Sequence, residues 1–242
     1  MTESALGDNM SEIIACSIII VRQGKWNMTR WKFSALNELC KAKGIPDAKL
    51  YQTSLNRRWK RAEYHAETAA RIWSNHFKGS FSIPDEQNDK PFFSYEAQVE
   101  SCAQSLHALA DILAQIINMV VLRGKRKEDD VSIKAILKTM QKEDIAEDVV
   151  TQVNKLLSDD AFRYIEAFCN TIKHRRLIRT NFRAEHGETT RNENGLIFEE
   201  FTFKGNVYPQ TWGSDILEQY RVRVFKLITN IGLSINAYVS TL

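Results

Sequence analysis

Cys169-Asn170-Thr171-Ile172-Lys173-His174-Arg175-Arg176 closes a run with helical spacing that begins near Asp159. Phe162, Ile165, Phe168, Cys169 and Ile172 fall on one side of that helix, and Arg163, Glu166, Asn170, Lys173 and His174 on the other. Ser158 or Asp159 can accept the orphan amide hydrogen bonds at its start. A helix with one apolar face must bury that face against another element, so this run calls for a helical partner elsewhere in the chain. Asn170 and His174 are four residues apart and therefore share a face. A lone His near a helix C-terminus commonly serves packing or the helix dipole. Here the amide and the cations Lys173, Arg175 and Arg176 make this the most chemical stretch of the sequence.

The partner is the long periodic segment from about Ser94 to Leu122. Its polar residues Glu100, Gln104, His107, Asp111, Gln115 and Asn118 form one stripe on an otherwise apolar cylinder. The stripe is rich in amides and poor in Lys and Glu, which suits a half-buried seam or an oligomer interface better than a wet face. In an antiparallel bundle this stripe faces that of the 159–176 helix, with Asp111 as the expected partner of His174 or Lys173. Such a pairing serves chemistry or, equally, fixes helix register.

Outward from this pair, further helices are expected at about Thr29 to Cys40, stopping at Gly44-Ile45-Pro46, and at about Asp47 to Phe77. Two shorter ones follow the charged loop Arg123 to Asp130, at about Ser132 to Gln141 and Ala146 to Leu157. Gly79 to Pro91 combines Gly, two Pro and a polar string, and marks a border between an N-terminal helical basic region, residues 1–90, and a bundle spanning residues 91–242. Leu177 to Phe182 and Leu196 to Phe203 are β-prone and flank the polar stretch His186 to Gly195, which predicts a β-hairpin. Asp215 and Glu218 match a capping box for a last helix. The fold class is therefore mainly α: an antiparallel helical bundle with a hairpin inserted before the final helix.

With 242 residues the chain is long enough for a core without staples. Its four cysteines, Cys16, Cys40, Cys102 and Cys169, lack CxxC or zinc spacing and read as buried apolar residues in a reducing compartment. Residues 1 to 10 read as a disordered leader. Ile13 to Val21 has no basic leader or cleavage signal and is too short to span a bilayer, and it reads as a buried strand or a buried helical turn. A soluble cytoplasmic protein with no membrane association is expected, with no metal and no cofactor: no His-Glu-x-x-His, phosphate loop or nucleophile elbow is present.

The net charge of +3 is unevenly spread. Arg22 to Arg61 carries eleven Lys or Arg against two acids, whereas residues 62–122 carry three against eight. The basic segment faces either a polyanion or the acidic segment of its own molecule. Arg57, Arg58, Lys60 and Arg61 around Trp59 are candidate nucleic-acid contacts, since cations bind backbone and an indole stacks on a base. The same pattern describes snorkelling Arg around a buried Trp.

The run Ser105-Leu106-His107-Ala108-Leu109-Ala110-Asp111-Ile112-Leu113 on a long helix, and Asn170-Thr171-Ile172-Lys173-His174-Arg175 at the end of a later one, resemble the HEPN superfamily over about residues 92–242. These are small helical-bundle proteins of prokaryotic toxin, defence and nucleotide-handling systems. Many are ribonucleases whose motif is Arg, a polar residue, a few variable residues and His, paired across a dimer. The resemblance implies that Asn170 takes the polar position and His174 the His. The Arg position falls on Cys169, leaving Arg163 or Arg175 as substitutes, with Lys173 and Arg176 as further RNA contacts. The expectation is a HEPN-like binding or regulatory module, homodimeric, associated with RNA or a cognate protein partner. The alternatives are a metal-independent endoribonuclease using His174, and a purely structural oligomer.

Overall fold

The structure, a computed structural model, describes residues 31–77, 89–184 and 194–242. The readings of the leader, of Ile13–Val21, of Cys16, of most of the Gly79–Pro91 border and of most of the polar stretch after His186 lie outside these residues. The fold is mainly α. Helices α1 (Phe33–Ala42), α2 (Lys49–His76), α3 (Asp89–Val120), α4 (Ile133–Glu143), α5 (Glu147–Ser158), α6 (Asp160–His174) and α7 (Arg221–Thr241) form a bundle, with short strands inserted between α6 and α7.

α3 is the axis of the core. Val99, Cys102, Leu106, Leu109, Leu113, Ile116, Ile117 and Val120 are fully or almost fully buried along it, because α2, α4, α6 and α7 all pack on its sides. α2 presents Ala62, Ala66 and Ala69, one small residue per turn, so the two backbones approach closely. The Cys102 thiol sits 3.5 Å from the Ala62 carbonyl, and His65 Nδ1 is 2.7 Å from Gln98 Oε1. Higher residue numbers on α2 meet lower ones on α3, so the pair is antiparallel. α3 starts at Asp89, ahead of the expected Ser94, since Pro91 falls in its first turn, where a missing N–H costs nothing.

Local capping chemistry sets the other boundaries. Ser132 Oγ accepts from the Ala135 amide at the head of α4, and Asp159 Oδ1 accepts from the Ala161 and Phe162 amides at the head of α6. The charged loop 123–130 is held by α3 itself: buried Asn118 both donates to the Arg126 carbonyl (2.9 Å) and accepts from the Arg126 amide (3.1 Å), while Gln115 donates to the Glu128 carbonyl. The C-terminal half of the amide-rich stripe thus satisfies loop backbone, which explains why it is amide rather than charge.

The inserted β region is larger than one hairpin. β1 (Thr180–Ala184) and β2 (Asn194–Phe198) pair antiparallel with Thr180 opposite Phe198, and β5 (Thr211–Trp212) adds to the other edge of β2. The expected second strand is split at Glu199-Glu200, and its remainder, β3 (Phe201–Phe203), turns through Lys204-Gly205 into β4 (Asn206–Tyr208). Both turn residues have positive φ (50° and 80°), the backbone a tight two-residue hairpin demands.

The capping box expected at Asp215 and Glu218 does not start the last helix. The chain is already helical at Gly213–Asp215, and Asp215 Oδ1 accepts from Gln219 Nε2 at 2.6 Å. A π-helical turn, Ile216–Tyr220, then leads into α7, and the Arg221 guanidinium donates to the Leu217 carbonyl at 2.6 Å. Widening the turn removes the usual partner of that carbonyl, and the side chain replaces it. Among the described residues no helix is long and apolar enough to cross a membrane.

Candidate nucleic-acid interface

α6 ends where its sequence turns cationic. The last-turn residues Lys173 and His174, and Arg175 and Arg176 beyond, are all exposed, as a helix C-terminus with its negative dipole end favours. Arg175 lies over the Phe203 ring at 4.9 Å, and Lys204, at the tip of the β3–β4 hairpin, lies over the same ring at 5.2 Å. Two cations from separate elements are therefore held beside one aromatic side chain. Leu177 is 69 % exposed in the middle of this charge. None of Lys173, His174, Arg175 and Arg176 has an acidic partner among the described residues.

Within one chain the motif residues are not all brought together. Asn170 is half-buried and its Nδ2 donates to the Glu166 carbonyl of its own helix at 2.7 Å, whereas His174 points to solvent without a hydrogen bond. Cys169, at the Arg position, is buried, and burial pushes its thiol well above the ordinary range, so it supplies no cation or ready thiolate. Arg163 pairs with Asp160 at 3.6 Å near the opposite end of α6. Eleven residues separate it from His174, about 16 Å along a helix axis, too far to share one phosphate. Arg175 is adjacent to His174 and lies over the Phe203 ring, a contact that leaves its charge unneutralised.

The polar stripes of α3 and α6 do meet, around a different imidazole. α3 and α6 run antiparallel: Thr180, beyond the end of α6, donates to Glu96 near the start of α3 (3.2 Å), and His107 lies farther along α3 in the field of Glu166. Half-buried His107 is surrounded by Asp111 on its own helix, Glu166 and Lys173 on α6, and Lys134 on α4, which is ion-paired with Glu166. Burial lowers the pKa of His107, and the two carboxylates oppose that shift more than the two lysines add to it. Asp111 is exposed and makes no ion pair with His174 or Lys173. Its electrostatic effect falls on His107, one turn back. Toward the start of α3, Glu96 and Glu100 are both held above the ordinary carboxylate range, chiefly by burial, and Glu100 additionally by Glu96. Sequence reading placed His107 on the stripe but not in a site, because what distinguishes it comes from α4 and α6.

The α2 patch divides in two. Arg57, Lys60 and Arg61 are exposed, Arg58 is half-buried, and none of the four has an ion-pair partner among the described residues. Trp59 instead stacks on Phe225 of α7, with ring centroids 3.7 Å apart and planes 12° from parallel, and its Nε1 donates to Glu63 at 3.2 Å. The indole anchors α2 to α7. The surrounding cations are free to meet an external anion.

No family model, curated protein or solved structure matches the chain.

Proposed function

We propose that this chain is a HEPN-like binding module that engages RNA through the C-terminal end of α6, with the α2 cations as a second contact, and that it does not cleave the RNA. The observation that carries this reading is the exposed group Lys173, His174, Arg175 and Arg176, free of acidic partners and flanked by Lys204. Cations left unpaired on a chain with 30 acidic residues are available to phosphates, and each phosphate neutralised releases counterions. Against cleavage stand the buried thiol at the motif's Arg position and the Asn170 amide turned onto its own helix. A nuclease of this type needs a cation on the phosphate together with an acid and a base.

The test is RNA binding as a function of salt, followed by gel analysis of the same RNAs in EDTA. Lys173→Gln/Arg175→Gln/Arg176→Gln is expected to flatten the log–log salt slope by about 2, at roughly 0.7 for each single-strand phosphate that the variant no longer neutralises. An unchanged slope overturns the interface. The ribonuclease reading has one feature in its favour, the open His174 among cations, and requires a homodimer to bring in a second copy. RNA cut in EDTA by the wild type but not by His174→Ala would replace the binding reading with that one.

A further inference from the structure

A solvent-open cleft of about 410 Å³ lies between the C-terminal part of α5, the first residues of α6 and the N-terminal half of α7. Its charges are not balanced. Asp159 is fully used: Oδ1 caps α6, and Oδ2 accepts from Arg223 Nε at 2.7 Å. Asp160, fully exposed, pairs with Arg163. With the two carboxylates answered, Lys155 and Lys226 line the same cleft with no ion pair from any described residue. Gln152 and Asn230 are half-buried there with no hydrogen-bond partner among the described residues, and Leu227 provides an apolar wall.

We infer that this cleft is a binding site for a phosphate monoester carried on a polar, ring-sized body, such as a nucleoside monophosphate. Two ammonium groups are compact point charges suited to a phosphate dianion. Each amide offers donors and an acceptor, which matches the mixed edges of a nucleobase or the hydroxyls of a sugar. The volume falls within the range of small-molecule sites and exceeds what an inorganic ion fills. α6 separates the cleft from the cationic end by its full fifteen residues, about 22 Å. The inference therefore does not rest on the RNA reading. A free nucleotide and the phosphorylated 5′ end of an RNA present the same chemistry.

The probes are AMP, adenosine and inorganic phosphate, titrated into the full chain by calorimetry. A short RNA with and without a 5′ phosphate separates the two sources. AMP is expected to bind at least about tenfold more tightly than either adenosine or phosphate alone, and Lys155→Gln/Lys226→Gln to lose about tenfold. Both lysines are exposed, so the variant should keep its unfolding midpoint, and Asn230→Asp gives a second route by placing a negative charge in the cleft. Lys173→Gln/Arg176→Gln should bind AMP like the wild type. A preference for the 5′-phosphorylated RNA that the cleft variant loses assigns the site to RNA ends, and its absence alongside AMP binding assigns it to free nucleotide. Equal affinity for AMP and adenosine, no saturation by about 10 mM AMP, or undiminished binding by the cleft variant overturns the inference.

Discussion

Trp31 lies against the α-carbon of Gly232: a methyl group built on residue 232 would overlap the indole ring, and the indole Nε1 donates to Asn236 one turn further on (3.0 Å). α1 is thereby locked onto α7 by a contact between residues two hundred positions apart.

Gly232→Ala is therefore expected to act against helix propensity. In an unobstructed helix interior the change would stabilise by about 1 kcal/mol. Here overpacking should win and destabilise by about 1–3 kcal/mol, read from urea midpoints. Trp31→Ala/Gly232→Ala should recover part of that loss relative to the sum of the single variants, since the clash needs both groups. A stabilised Gly232→Ala would show that α1 does not sit on α7 at this point.

Trp59 and its basic neighbours should separate cleanly in two assays. Phe225, beneath the indole, is almost fully buried, so Trp59→Ala opens a gap at the α2–α7 seam and is expected to cost about 2–4 kcal/mol. Arg57→Gln/Arg58→Gln/Lys60→Gln removes charges that touch no acid and should leave stability within about 0.5 kcal/mol while weakening RNA binding. If the triple variant binds RNA as the wild type does, the α2 surface drops out of the interface and only the end of α6 remains.

What the sequence disclosed, and what it hid, follows the range of the interactions. The caps at Ser132 and Asp159 and the stop at Gly44 are written in adjacent residues, so the helix boundaries they set were legible. The polar faces of α3 and α6 were legible as patterns, because helical spacing alone fixes them. Hidden were the groups that decide what those patterns do. Asn118 looks like a seam residue but clamps the 123–130 loop. Trp59 looks like a stacking platform but is taken by Phe225, and Asp111 acts on His107 instead of His174. In the β region, Glu199-Glu200 interrupts what reads as one strand, and the Lys204-Gly205 turn was the local signal for the second hairpin.

Glu100→Gln is expected to stabilise the protein at neutral pH. Burial and the neighbouring Glu96 raise the Glu100 pKa in the folded state, so the native carboxyl binds its proton more readily than the unfolded one. Its favourable contribution is complete below the ordinary carboxylate value and is lost as the pH rises through the folded value. The wild type thus bears the cost of an ionised, half-buried carboxylate at pH 7, and the amide does not. The difference between variant and wild type should shrink as the pH is lowered toward about 4. A variant less stable at pH 7 would mean that the carboxylate has a cation near it that offsets its burial.

His107 carries the opposite sign. Its folded pKa is lowered, mainly by burial, so the unfolded chain binds the proton more tightly. Stability attributable to the neutral ring is present above about pH 6.5, the unfolded value, and is lost as the pH falls through the folded value. Asp111 and Glu166 partly hold the proton on, while Lys173 and Lys134 repel it, so the two pairs can be tested against each other. His107→Gln should remove part of the loss of stability between pH 7 and 5. Asp111→Asn should steepen that loss, because removing a nearby negative charge lowers the His107 pKa further. Lys134→Gln should make it shallower by removing positive charge, to the extent that freeing Glu166 from its ion pair does not alter the packing of α4 on α6. A His107→Gln profile superimposable on the wild type would place the acid sensitivity elsewhere and leave the imidazole as packing alone.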